Sequence, residues 1–98
     1  MPTPPNDPMQ FRITEAFLKA WDALPAKGKQ TIGENASAAG SNRDDAKNNL
    51  AKAANAGIAR EYSAISPYRY DRTPKAELNK EQLALLRRID QARNDLAA

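Results

Sequence analysis

The residues with the clearest chemical potential are amide and cationic side chains at helical spacing: Lys47, Asn48 and Lys52, with Asp44 one turn before Asn48. At about 100° per residue, Ala46, Leu50 and Ala53 fall on one side of such a helix. Asp44, Asn48, Ala51 and Asn55 then point the opposite way, flanked by Lys47 and Lys52. An Asn amide can pair bidentately with adenine, and a lysine can meet a phosphate or guanine. Asp44 can accept from a cytosine amino group, although its place in a first helical turn explains it equally well. The alternative for this whole face is ordinary solvation.

Other chemistry is thinned by composition. The chain of 98 residues contains neither cysteine nor histidine, so thiol, disulfide, zinc-finger and most hydrolase chemistry is absent. Its carboxylate pairs sit in no catalytic motif, and its four glycines form no phosphate-cradling loop. We therefore expect neither an enzyme nor a cofactor or metal, and no small-molecule ligand is evident. The N-terminal residues have no signal-peptide character, and no apolar run approaches the ~18–20 residues of a membrane span. A cytoplasmic, nucleoid-associated protein without a membrane partner is the expectation.

The net charge of +3 is concentrated in residues 41–75, where seven cations (Arg43, Lys47, Lys52, Arg60, Arg69, Arg72, Lys75) face four carboxylates. The segments on either side are each neutral. A polyanion is the natural partner for such a region.

The elements that must position these groups can be read in order. Residues 1–10 hold four of the seven prolines and read as a disordered or extended arm. Ile13, Phe17, Leu18, Trp21 and Leu24 recur at helical spacing, Thr14 can cap that helix, and Pro25 stops it. Lys27-Gly28-Lys29 makes a basic turn that either touches phosphate or is simply solvated. Thr31-Ile32-Gly33-Glu34 has the form of a capping box, opening a short helix over 32–39 with Ile32, Ala36 and Ala39 inward. Gly40 ends it, and Ser41 or Asn42 caps the next helix, which runs to about residue 56 and stops at Gly57. Residues 58–62 and 68–72 read as the strands of a hairpin, with Tyr62, Tyr68 and Tyr70 packing it.

Residues 79–97 form the last helix. Leu78, Gln82, Leu85, Ile89, Ala92 and Leu96 are spaced 4, 3, 4, 3, 4, a heptad seam that either covers the domain or joins a second subunit. It is too short to hold a coiled coil alone, and we assign it to a homodimer interface that also packs on its own domain. Arg87 and Arg88 are expected in solvent.

The order helix, short helix, tight turn, helix, hairpin resembles a winged helix-turn-helix DNA-binding domain over residues 13–72. The resemblance is carried by residues 31–58, TIGENASAAGSNRDDAKNNLAKAANAGI. In that family a capped second helix ends at a small residue and glycine, a polar-capped recognition helix follows, and a glycine with an aliphatic residue opens the wing. Here alanine stands where leucine is more usual (Ala39, Ala53), and two carboxylates begin the recognition helix.

The fold class expected is mainly α with a small β-hairpin: a proline-rich arm (1–10), a winged helix-turn-helix domain (11–75) and a C-terminal dimerisation helix (76–98). The resemblance implies double-stranded DNA as partner, contacted by Thr31, Ser41, Asn42, Arg43, Lys47, Asn48 and Lys52, with Arg69 and Arg72 from the wing. It also implies a small plasmid- or phage-type regulator, a homodimeric repressor. Two other readings stand beside it: a winged-helix protein-interaction module (adaptor or inhibitor), and a nucleoid or partition-type architectural protein.

Overall fold

A computed structural model describes residues 9–97. Its elements are α1 (Glu15–Ala23), β1 (Gln30–Thr31), α2 (Ile32–Ala39), α3 (Arg43–Asn55), β2 (Ala59–Tyr62), β3 (Arg69–Arg72), a 3-10 turn (Lys75–Glu77) and α4 (Lys80–Ala97). The fold is mainly helical with a small antiparallel sheet.

Local chemistry sets most of the boundaries. The Thr14 hydroxyl accepts from the Phe17 amide at 3.1 Å and starts α1. Thr31 and Glu34 exchange both bonds of the capping box at 3.1 and 2.9 Å and start α2. Gly40 takes the left-handed conformation (φ +66°) that ends α2, and the Ser41 amide closes back on the Ala36 carbonyl at 2.9 Å. Asn42, rather than Ser41, caps α3: its Oδ1 accepts from the Asp45 amide at 2.8 Å.

Two elements were not foreseen. The 3-10 turn is one. The other is β1, which has two residues, too few to show a period, and exists only because the hairpin offers it an edge. It pairs with β3 (Gln30 with Tyr70, Thr31 with Arg69), so the sheet order is β1-β3-β2.

One core serves the whole body. Phe17, Leu18, Trp21 and Leu24 of α1 meet Leu50 and Ala53 of α3, Ile58 and Tyr70 of the hairpin, and Leu85 and Ile89 of α4. The C-terminal helix is thus part of the domain and not an appendage. Leu85 and Ile89 are 1% and 0% exposed within the single chain, and Leu78 packs against the same cluster. The heptad spacing therefore marks the inner side of α4, which corrects the dimer assignment for those residues. Ala92 is half-buried, and of the six only Leu96 is exposed.

Gln82 also turns inward. Its Oε1 accepts from the Asn79 amide at 2.8 Å, capping α4, while its Nε2 donates to the Ala56 carbonyl at 3.2 Å. Gly57 leaves room for it: a Cβ there would lie 2.3 Å from that nitrogen.

Residues 1–8 of the expected arm lie outside the described residues. Its last part lies against the domain. Met9 packs on the core, and the Arg88 guanidinium, exposed as expected, also donates to the Met9 and Phe11 carbonyls at 3.0 and 3.2 Å. Among the described residues no helix is long and apolar enough to cross a membrane.

Candidate nucleic-acid interface

α3 is anchored as its sequence requires. Ala46, Leu50 and Ala53 are 0%, 1% and 2% exposed, whereas Arg43, Asp44, Lys47, Asn48 and Asn55 are exposed. Three small or branched side chains on one stripe bring the helix close to α1 and α2 and leave its opposite face free. Asn49 is buried and donates to the Asp45 carbonyl at 2.9 Å, so it belongs to the anchor and not to the outer face.

The hairpin tip comes alongside this outer face. A cleft of about 520 Å³ runs between the start of α2 (Thr31, Ile32, Gly33), the first turns of α3 (Arg43, Asp44, Lys47) and the tip (Ser66, Pro67, Tyr68). Three of the nine residues assigned to DNA contact thus share one concave surface, and Asn48 adjoins it on α3. Lys52 is half-buried, five residues beyond Lys47 along the helix, a rise of about 7.5 Å.

Ser41 and Asn42 are placed elsewhere. They border a separate depression with Glu15, Lys19 and Asp45. Both ends of the Asn42 amide are engaged by Asp45, its Nδ2 donating to a carboxylate oxygen at 3.2 Å. Two carboxylates and a committed amide make this a poor phosphate seat. Thr31 stands at the cleft, but its hydroxyl already accepts from Glu34. The same reciprocal bonds, the Thr31 backbone amide first, hold the Glu34 carboxyl below its usual range.

The two wing arginines face opposite ways. Arg60 pairs with Asp71 and Tyr62 with Arg69 across β2 and β3, so these four share the outer side of the sheet. There Asp71 is buried beneath a bidentate Arg60 (2.9 and 3.0 Å) and accepts from the Tyr62 hydroxyl at 3.2 Å. Lys29 lies over the Tyr62 ring, 4.3 Å from its centre. Arg69 is half-buried on this side and remains a candidate contact. Arg72 lies on the inner side with Tyr70. Its guanidinium sits 4.4 Å from the centre of the Trp21 ring and donates to the Trp21 carbonyl at 2.6 Å. This removes Arg72 from the DNA-contacting set. The alternation along β3 explains it: Tyr70 fixes the inner face, and Arg72 must share it.

Tyr68 is the residue that sequence reasoning misassigned. It was grouped with Tyr62 and Tyr70 as packing, yet it is 46% exposed and lines the cleft, with Ile65 at 75% exposure nearby in the tip. Its position two residues before Tyr70, beyond the end of the paired strand, was the available signal. Asn35 was also missed. Fully buried, it donates from Nδ2 to the Ala20 carbonyl at 3.0 Å and to Gln30 at 2.8 Å, tying α2 to α1 and β1. Among the described residues, no cluster of three or more His, Cys, Asp or Glu side chains is arranged to hold a metal.

Comparison with known proteins adds no relative: no family model matches the chain, and no curated protein or solved structure is significantly similar to it.

Proposed function

We propose that this chain binds double-stranded DNA as a small winged-helix regulator, with α3 in the major groove and the hairpin tip beside it. The observation that carries this reading is the free outer face of α3, where Arg43 and Lys47 share one concave surface with the hairpin tip and the exposed Asn48 follows Lys47 on the helix. A major groove about 12 Å wide admits a helix held this way. The sheet order supports the reading too, because β1 ties the segment before α2 to the returning strand of the hairpin, as in a winged helix.

In the mechanism, Arg43 and Lys47 meet phosphates and fix register, Asn48 reads a base edge, and Arg69 reaches the backbone from the outer side of the hairpin. Occlusion of a promoter by the bound domain gives repression. Leu85 and Ile89 of the α4 seam are spent in the core, so the reading assigns no dimer contact to them.

Fluorescence anisotropy on duplex DNA across a salt series tests the proposal. Affinity should fall steeply with salt, and Arg43→Ala with Lys47→Ala should flatten the logarithmic slope by about 2 while leaving the fold intact. Absence of binding at low salt removes the proposal. It would favour the protein-interaction reading, to which the exposed Ile65 and Tyr68 and the cleft carboxylate Asp44 lend themselves.

A further inference from the structure

A second cleft lies at the base of the hairpin, the end opposite the tip. It is bounded by the end of α1, the segments around β2 and β3, and α4, and measures about 460 Å³. It shares no residue with the cleft at the tip. Trp21, Ile58, Leu78, Leu83 and Leu86 supply apolar wall. Leu83 and Leu86 are the α4 leucines off the inner seam, and both are only half-buried. Cavities of this size, mostly apolar with a few convergent charges, suit small organic molecules.

The charges on the wall are one-sided. Lys27, Arg60, Arg72, Lys75 and Arg87 stand against a single carboxylate, Asp90. Arg60 is neutralised by Asp71, and Asp90 by Arg93. Arg93 also bonds Asp22. Among the described residues, Lys27, Arg72, Lys75 and Arg87 have no carboxylate at ion-pair distance.

Arg72 is the most telling of these. Its guanidinium is held over Trp21 and by one carbonyl, while its buried Nε lacks a hydrogen-bond partner. Burial pushes its pKa down. A partly desolvated cation with unsatisfied hydrogen-bonding capacity is stabilised by an anion brought beside it.

We propose that this cleft binds a small amphipathic organic anion, its aromatic or alkyl body against Trp21 and the leucines and its acid group at the Arg72, Lys75 and Arg87 rim. A second copy of this chain is a poorer occupant, because it carries a net charge of +3 and the wall is already cationic. The expectation that no small ligand is involved is thereby replaced. The residues of the cleft are scattered from position 21 to position 90, so no local motif announces it. This inference is independent of the DNA-binding proposal.

Trp21 is the only tryptophan of the chain and lines the cleft, so its emission reports occupancy. The full chain is titrated with anilinonaphthalene sulfonate and with the uncharged phenylnaphthylamine. Saturable energy transfer from Trp21 is expected with both, the sulfonate binding about tenfold or more tightly, a difference removed by high salt. Lys75→Gln with Arg87→Gln, both exposed, should cost the sulfonate about tenfold and leave the amine unchanged. Leu86→Glu should abolish both signals, with circular dichroism showing an intact fold. Equal affinities for the two probes, or a sulfonate affinity unmoved by the lysine and arginine changes, would overturn the proposal. So would a dimer in sedimentation that Leu83→Glu dissolves, since the occupant would then be a second copy.

Discussion

α3 buries Ala46, Leu50 and Ala53 and keeps Arg43, Lys47 and Asn48 in solvent, while α4 buries Leu85 and Ile89 and keeps Arg87, Asp90 and Gln91 there. Both helices are amphipathic, and in both the apolar stripe is plain from spacing. The difference lies in what covers the stripe. A period of 3.6 residues is met by any helix packed on a core, and a spacing of 4, 3, 4, 3 approximates it as closely as it does a coiled coil. Fewer than three heptads cannot separate the two. The free face of α3 and the spent seam of α4 show that periodicity identifies the buried side of a helix but not the molecule that buries it.

The sharpest way to break this comparison is to cut into each helix in turn. Leu85→Ala removes a side chain that is 1% exposed inside the monomer and should cost about 2–5 kcal/mol, a large share of the stability of so small a domain. Asn48→Ala, on the exposed face of α3, should change stability by less than about 0.5 kcal/mol while weakening the proposed DNA binding. Denaturant melts of both variants decide the matter. If Leu85→Ala left the melt unchanged and altered only the oligomeric state, the seam would be an interface after all.

Gln82 sharpens the contrast, because the two assignments of α4 predict opposite signs. In a dimer seam, Gln82→Leu would replace a polar residue with an apolar one and strengthen association. In the structure that substitution deletes the cap on the Asn79 amide and the donor to the Ala56 carbonyl. A loss of about 1–3 kcal/mol is expected from the unpaired groups, read as a lower melting temperature that does not depend on protein concentration. A gain in stability that grows with concentration would restore the dimer.

Which parts were legible follows from the range of the interactions. The capping box of Thr31 and Glu34, a cap at Ser41 or Asn42, the Gly40 and Gly57 stops and the two hairpin strands depend on residues within a few positions, and each was readable. β1 was not, because Gln30 and Thr31 are held by Tyr70 and Arg69, some forty residues away. The inward turn of Arg72 is legible in its parity with Tyr70 along β3, a signal opposite to the one its charge carries. The bonds from Asn35 to the Ala20 carbonyl and from Gln82 to the Ala56 carbonyl were not readable, because backbone carbonyls on other elements carry no side-chain signal. For the candidate site, the outer face of α3 was foreseen, but the tip residue Tyr68 and the displacement of Ser41 and Asn42 to another depression depended on tertiary packing.

A smaller effect is expected at the start of α2, which forms one wall of the cleft beside α3. Thr31→Ala removes the acceptor for the Glu34 amide and should cost about 1 kcal/mol. Glu34 acts through the same cap. Its carboxyl titrates below the usual range in the folded chain, so its contribution is present at neutral pH and is lost as the pH falls through that lowered value. Chemical melts of Glu34→Ala at neutral and acid pH should converge on those of the parent, because acid removes the carboxylate's bond to the Thr31 amide that the variant already lacks. Parallel curves would show that the box is not formed in solution.

The smallest effect lies in the hairpin, whose inner side fastens the tip beside α3 to the core that α4 completes. Tyr70 is 3% exposed and donates its hydroxyl proton to Glu61 at 2.9 Å. Burial first, and then the Glu61 bond, push its pKa up to about 12, against about 10 in an unfolded chain. Between those values the unfolded chain has released the proton and the folded chain still holds it. Raising the pH through this window therefore favours unfolding, and the stability present below pH ~10 is lost towards pH ~12. Burial, ahead of the bond to Asp71, raises Tyr62 as well, so its contribution has the same sign. Tyr70→Phe keeps the ring and deletes the titration, and the freed Glu61 remains exposed to water. The variant should match the parent near neutrality apart from the lost hydrogen bond and decline less steeply in alkali, with a residual slope from Tyr62 common to both proteins. Coincident alkaline profiles would place the Tyr70 hydroxyl in solvent, and the inner face of β3, with the inward Arg72 beside it, would have to be reassigned.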